Sequence, residues 1–192
     1  MPDLDILQEL LKDDVILDLV ISRYGKKSVT LTELGNSHHT GYSVVIHNMP
    51  ENAVVMKTDN FPAPKTFFKN TKGECKRADF VIIANTDKEN LFILIEIKKG
   101  KGSSERTIIR QLQGAQCVIA YCRSIGQEFW QQKDFLNPEK YKYRFVSIRN
   151  IGINKKPTYT PHRGGLHDCP ERMLKITSPH HLEFKQLAGR IN

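Results

Sequence analysis

The sequence predicts a mixed α/β fold, an α+β arrangement in which a central mixed β-sheet is flanked by helices. Three observations carry that expectation. Aliphatic and β-branched runs at Val81 to Ala84 and Leu91 to Ile97 enclose the turn-forming Asn85-Thr86-Asp87-Lys88-Glu89-Asn90, which reads as a β-hairpin. The second run is apolar on both faces, Phe92 and Leu94 on one and Ile93, Ile95 and Ile97 on the other, as in a strand at the centre of a sheet. A helix-period stripe of Ile108, Leu112, Ala115, Ile119 and Cys122 follows, and a further β-like run comes after it.

From the N-terminus, apolar residues from Leu4 to Ile21 recur at helical spacing and predict a first helix over about 3–24, with Asp3 as cap and Gly25 as stop. Val29-Thr30-Leu31 is a short β-like piece, followed by a polar stretch with the adjacent histidines His38 and His39, read as surface residues. Tyr42 to His47 and Ala53 to Lys57 flank Met49-Pro50-Glu51-Asn52 and predict a second hairpin. Residues 59 to 76 interleave aromatics with lysines. Such aromatic faces can stack on splayed bases at a nucleic-acid edge, but Phe67 and Phe68 are expected instead to plug the core, and the lysines to contact backbone phosphate.

After the central hairpin, Ser103 or Ser104 can cap a helix running to about Arg123. Residues 124 to 140 are polar and read as a loop or short helix, and Tyr141 to Ile151 as a further strand. The Gly/Pro/His-rich residues 152 to 170 are expected to be irregular, and His162, His167 and Cys169 lack a fourth zinc ligand at familiar spacing. Met173 to Ile176 reads as a short strand, and His180 to Leu187 as a terminal helix. The expected organisation is one domain over 1–192, with a core at about 42–150 and a C-terminal strand and helix at about 171–188.

With 29 Lys and Arg against 21 Asp and Glu, the net charge is +8, which favours a polyanionic partner such as nucleic acid. The cysteines Cys75, Cys117, Cys122 and Cys169 form no Cys-x-x-Cys pair, and a reduced, cytoplasmic chain is expected. Acidic and basic residues interrupt the first apolar segment and no apolar run is long enough to span a bilayer, so no membrane partner is expected. The glycine-flanked lysines Lys99 and Lys101 do not complete a Walker-type phosphate loop, which leaves nucleotide hydrolysis without support.

The chemistry concentrates at the hairpin's open end. If Ala84 pairs with Leu91, Asp79 falls opposite Glu96, and opposed side chains share a face with Cβ atoms roughly 4.5–5.5 Å apart. Lys98, two residues beyond Glu96, lies on that same face. A Glu-x-Lys on a strand is common as a solvated ion pair, but at the end of a central strand, opposite a second carboxylate, it needs a reason. Two converging carboxylates repel unless a cation lies between them, and all-oxygen coordination suits Mg²⁺.

The pattern of Asp79, an intervening hairpin, then Glu96-Ile97-Lys98 resembles the signature of the PD-(D/E)xK nuclease superfamily, with Ala78 at the family's proline. Gln111-Leu112-Gln113-Gly114-Ala115 resembles the Gln-Leu-x-x-Tyr element of its RecB-like and λ-exonuclease-like branches, with Ala115 at the tyrosine. The resemblance covers about residues 75 to 121. It implies a restriction-endonuclease-like core, one or two Mg²⁺ or Mn²⁺ ions held by Asp79, Glu96 and the carbonyl of Ile97, and catalytic roles for Lys98 and Gln111. It also implies an acidic residue from the first helix, for which Glu9 is the candidate.

Phosphate contacts are expected from Lys76, Arg77, Lys99 and Lys101, which border the acidic pair. The expected activity is metal-dependent endonucleolytic cleavage, of DNA before RNA, in a restriction or phage-defence setting and in some relatives as a homodimer. The rival readings are a non-catalytic nucleic-acid-binding module on the same fold and a viral or cellular RNA endonuclease.

Overall fold

The computed structural model describes residues 2–34, 41–100, 103–150, 158–160 (backbone only) and 166–189. His38, His39, Lys101 and His162 lie outside the described residues. Helix α1 spans Asp3–Leu10. The strands that follow are β1 (Ile16–Leu17), β2 (Val20–Ile21), β3 (Lys27–Glu33), β4 (Tyr42–Met49), β5 (Asn52–Lys57), β6 (Phe80–Asn85) and β7 (Asn90–Lys99). Then come helix α2 (Glu105–Phe129), β8 (Tyr141–Asn150), β9 (Thr158–Thr160), β10 (Leu174–Thr177), β11 (His181–Glu183) and helix α3 (Phe184–Ala188).

Among the described residues these strands form two sheets. The larger has the order β1-β5-β6-β7-β8-β10-β9, and the smaller β11-β4-β3-β2. The β5-β6-β7 meander is antiparallel, whereas β8 returns parallel to β7 after α2, and β10 lies parallel to β8. The mixed α/β class expected from the sequence is therefore present, with two sheets where one was expected.

The two faces of β7 pack as its alternation dictates. Ile93, Ile95 and Ile97 join Val29, Leu31, Val44 and Ile46 of the smaller sheet in one core. Phe92 and Leu94 face a second core with Ile108, Leu112, Ala115 and Ile119 of α2 and with Ile6 and Leu7 of α1. Ser104 caps α2, its Oγ accepting the Thr107 N–H at 3.2 Å. That helix continues past Arg123 to Phe129, through residues whose polarity suggested a loop.

Three sequence expectations are corrected. The first helix ends at Leu10 instead of near Tyr24, because Lys12-Asp13-Asp14 breaks its apolar face and the β-branched residues beyond enter sheets. Ile16 and Leu17 pair with Met56 and Val55, and Val20 and Ile21 with Ser28 and Lys27. β4 and β5 do not form a hairpin: the chain crosses between sheets at Pro50 and Glu51, after Asn48 adopts a left-handed φ of 54°. β4 pairs instead with β3 and, across a long sequence separation, with β11. There the His47 and His181 rings stack, with Nε2 and Nδ1 2.9 Å apart, and the Tyr42 hydroxyl donates to the Pro179 carbonyl. The expected terminal helix accordingly begins only at Phe184, its first residues being taken by β11.

Candidate functional site

The register of the central hairpin is the one expected, with Ala84 opposite Leu91 and Phe80 opposite Ile95. One step further, where the ladder ends, the Asp79 side chain takes the next hydrogen bond, its Oδ2 accepting the Ile97 N–H at 2.7 Å. Asp79 is thereby fixed to the strand that carries Glu96 and Lys98.

Two further devices hold the Asp79 backbone. Buried Thr58 donates its N–H to the Asp79 carbonyl at 2.9 Å and its hydroxyl to the Ala78 carbonyl at 2.6 Å. Gly114 of α2 lies so close to the approach segment that a Cβ there would stand 1.7 Å from the Lys76 carbonyl oxygen and 3.0 Å from the Arg77 Cα. Only glycine lets the helix seat there.

Glu96 is fully buried, 0% exposed, and its Oε1 lies 2.5 Å from Lys98 Nζ. That contact is an ion pair without hydrogen-bond angles, so both Glu96 oxygens are left without a hydrogen-bond partner. Burial, with the Asp79 charge added, pushes the Glu96 carboxyl up to about 8 against the pull of Lys98. Burial also raises Asp79 to about 6, opposed by Lys98 and the Ile97 N–H and reinforced by Glu33 and Asp59. For Lys98, burial alone would lower the pKa, but Glu96, Asp79 and Glu33 outweigh it and hold the ammonium above its ordinary value. Two carboxyls poised nearer neutrality than usual thus share one firmly charged lysine.

Sequence reasoning missed Glu33. It ends β3 in the smaller sheet, with Oε1 3.9 Å from Lys98 Nζ and Oε2 buried without a hydrogen-bond partner. Burial raises its pKa in turn, opposed by Lys98 and the backbone of Lys99. Glu33, Asp59 and Asp79 line a cleft of about 370 Å³ with Thr30 and Thr32. Nothing in the sequence near Glu33 marks it, since it reaches the site through contact between sheets.

The remaining expected site residues fall as follows. Glu9 does not join the cluster: its Oε2 accepts from Trp130 Nε1 at 2.8 Å. Trp130 caps the far end of α2, and the sixteen residues from Gly114 amount to about 24 Å of helix at ~1.5 Å each. Gln111 sits on the stretch of α2 that leads to Gly114, its Oε1 buried and without a partner, and no hydrogen bond joins it to Glu96. Arg77 donates to the Asp59 carbonyl at 2.8 Å, a contact that braces the loop before Asp79. Lys76 is partly buried and Lys99 exposed.

His167 is buried and bonded to the Leu187 carbonyl at 2.7 Å, a role in anchoring α3. Phe67 and Phe68 do not plug the core: they are 83% and 47% exposed. Their loop turns outward at Pro64, whose carbonyl accepts both of their N–H groups.

Among the described residues no group of three His, Cys, Asp or Glu stands ready to hold a metal ion. A pair of carboxylates is nevertheless what Mg²⁺ takes when substrate and water complete its shell. The donor set fits such an ion: oxygen ligands only, with Glu96 Oε2 and Glu33 Oε2 buried and without a hydrogen-bond partner. No helix among the described residues is long and apolar enough to cross a membrane, and all four cysteines are free. Comparison with family models, with curated proteins and with solved structures gives no match.

Proposed function

We propose that the chain is a metal-dependent nuclease that hydrolyses phosphodiester bonds, with DNA the favoured substrate on the strength of the restriction-endonuclease-like resemblance. The observation that carries the reading is the convergence of Asp79 and the buried Glu96 beside Lys98, with Glu96 Oε1 ion-paired to Lys98 and Oε2 left without a partner. One lysine facing Glu96, Asp79 and Glu33 leaves more buried acid than it can neutralise, a cost that a bound cation would offset.

Asp79 and Glu96, with the carbonyl of Ile97 as the resemblance implies, would hold Mg²⁺ or Mn²⁺. Such an ion, when bound, polarises the phosphoryl group and favours deprotonation of a nearby water. The side chains supply the rest. The Ile97 N–H holds Asp79 Oδ2 in place, and Thr58 fixes the backbone behind it. Lys98, held protonated by its carboxylate neighbours, suits charge stabilisation at the pentacovalent phosphorus better than proton abstraction. Glu33 keeps that ammonium directed between the sheets.

The test is incubation of labelled single- and double-stranded DNA and RNA with Mg²⁺, with Mn²⁺ and with EDTA, for wild type and Glu96→Gln. Metal-dependent products lost in the variant are expected. Cleavage that persists in EDTA, or at wild-type rate in Glu96→Gln, would sink the reading. Binding in every buffer without product would instead identify a non-catalytic nucleic-acid-binding module.

A further inference from the structure

Between Phe61 and Arg77 an irregular segment leads into Asp79, and it departs from the ordinary rule for aromatics. Phe67 and Phe68 are both exposed, their rings edge to face with centroids 5.0 Å apart. Leaving a phenylalanine in water forgoes roughly 1.5–3 kcal/mol of burial, so two in succession ask for a partner.

Their exposure is built in. The Pro64 carbonyl accepts the N–H groups of Phe67 and Phe68 at 3.1 and 2.9 Å. The Glu74 carboxylate accepts the N–H groups of Thr71 and Lys72 at 3.0 and 2.8 Å, and Gly73, at φ 87°, packs on the Arg110 side chain. Along the stretch that carries the rings the charge has one sign. Lys65, Lys69 and Lys72 are exposed, no acidic residue lies between Asn60 and Gly73, and Glu74 is committed to the backbone. Ring faces beside cations match a single strand, whose bases are free to stack and whose phosphates need neutralising. An intact duplex offers phosphates to the lysines but hides its base faces from the rings.

We propose that Phe67 and Phe68 form a stacking platform for unpaired bases, with Lys65, Lys69 and Lys72 on the adjoining phosphates. The substrate then reaches Asp79 and Glu96 as single-stranded or locally unpaired nucleic acid, a step that rests on the nuclease reading, whereas the platform itself does not.

The experiment is fluorescence anisotropy in EDTA, where nothing is cut, with labelled oligothymidylate, its duplex with oligodeoxyadenylate, and vesicles containing phosphatidylserine. The proteins are wild type, Phe67→Ala/Phe68→Ala, Phe67→Leu/Phe68→Leu and Lys65→Gln/Lys69→Gln/Lys72→Gln. Wild type is expected to prefer the single strand. Both phenylalanine variants are expected to lose roughly 10- to 100-fold in that affinity, with duplex affinity and melting temperature unchanged. The lysine variant is expected to lower the salt slope by about 2, at ~0.7 per phosphate contact.

Single-strand affinity unchanged in the alanine variant, a preference for duplex, or phenylalanine-dependent binding to vesicles without binding to oligothymidylate would each overturn the platform. The same proteins with Mg²⁺ separate the two claims. Phenylalanine-dependent binding without product supports the platform and removes the nuclease. Duplex cleavage at equal rates in wild type and the alanine variant removes the platform and leaves the nuclease.

Discussion

Glu33 Oε1 stands 3.9 Å from Lys98 Nζ, and that contact spans the two sheets, from the end of β3 to the end of β7. Its charge helps raise both Asp79 and Glu96 and adds to what keeps Lys98 protonated. Replacing Glu33 by Gln is therefore expected to lower both carboxyl pKa values and to weaken Mn²⁺ affinity by roughly 10-fold, the equivalent of about 1.4 kcal/mol. Isothermal titration with Mn²⁺ checks this; an unchanged affinity would place Glu33 outside the cation's reach.

Asp79→Asn and Glu96→Gln are expected to reduce metal-dependent cleavage by about 100-fold or more while the fold persists. The isosteric amides are the right variants here. Alanine at the fully buried Glu96 would open a cavity, and alanine at Asp79 would orphan the Ile97 N–H at a cost of about 1–3 kcal/mol. Circular dichroism alongside the cleavage assay checks both halves of this expectation.

The raised carboxyls set a pH dependence. A carboxyl with a higher pKa in the folded state keeps a proton that the unfolded chain has already released, so stability falls as pH rises between the two values. For Asp79 that window runs from its ordinary 3.8 to about 6, and for Glu96 from 4.5 to about 8. In EDTA the difference in stability between wild type and Glu96→Gln is expected to move against wild type from about pH 5 to about pH 8, and then level. Added Mg²⁺ is expected to raise the wild-type melting temperature more at pH 8 than at pH 6. A wild-type advantage that grew with pH in EDTA would contradict the burial of Glu96.

Gly114→Ala reverses an ordinary sign. In an exposed helix interior that change stabilises by about 1 kcal/mol, but here the new Cβ would meet the Lys76 carbonyl oxygen at 1.7 Å. Thermal unfolding is expected to show a loss of about 1–3 kcal/mol, and cleavage to fall with it as the segment leading to Asp79 is displaced. A variant as stable as wild type would show that α2 does not seat on this segment.

The hairpin was legible because two local signals agreed: turn residues fixed the ladder at Ala84 and Leu91, and period-two alternation then carried Asp79 to Glu96. The buried stripe of α2 was legible for the same reason, a repeat confined to one element. What escaped depends on partners far along the chain. β4 looked like half of a hairpin with β5 because nothing within reach of Pro50 announces β11. Glu9 looked eligible because the resemblance implies an acidic residue from the first helix, but the direction in which that helix packs is set by α2 and takes Glu9 to Trp130. Phe67 and Phe68 were misplaced by the rule that aromatics go inside, which holds for most loops and fails where a backbone turn directs them out.

The pairing of β4 with β11 joins Ile46 to Leu182. Closing so long a loop is entropically slow, and contacts of such sequence separation form late in folding. β11 is thus a late addition to a smaller sheet whose β2, β3 and β4, Glu33 among them, pair between near neighbours in sequence. A chain caught midway would already carry Glu33 on one local ladder and Asp79, Glu96 and Lys98 on another, so the acidic set is completed by the packing of one sheet on the other and reports that step.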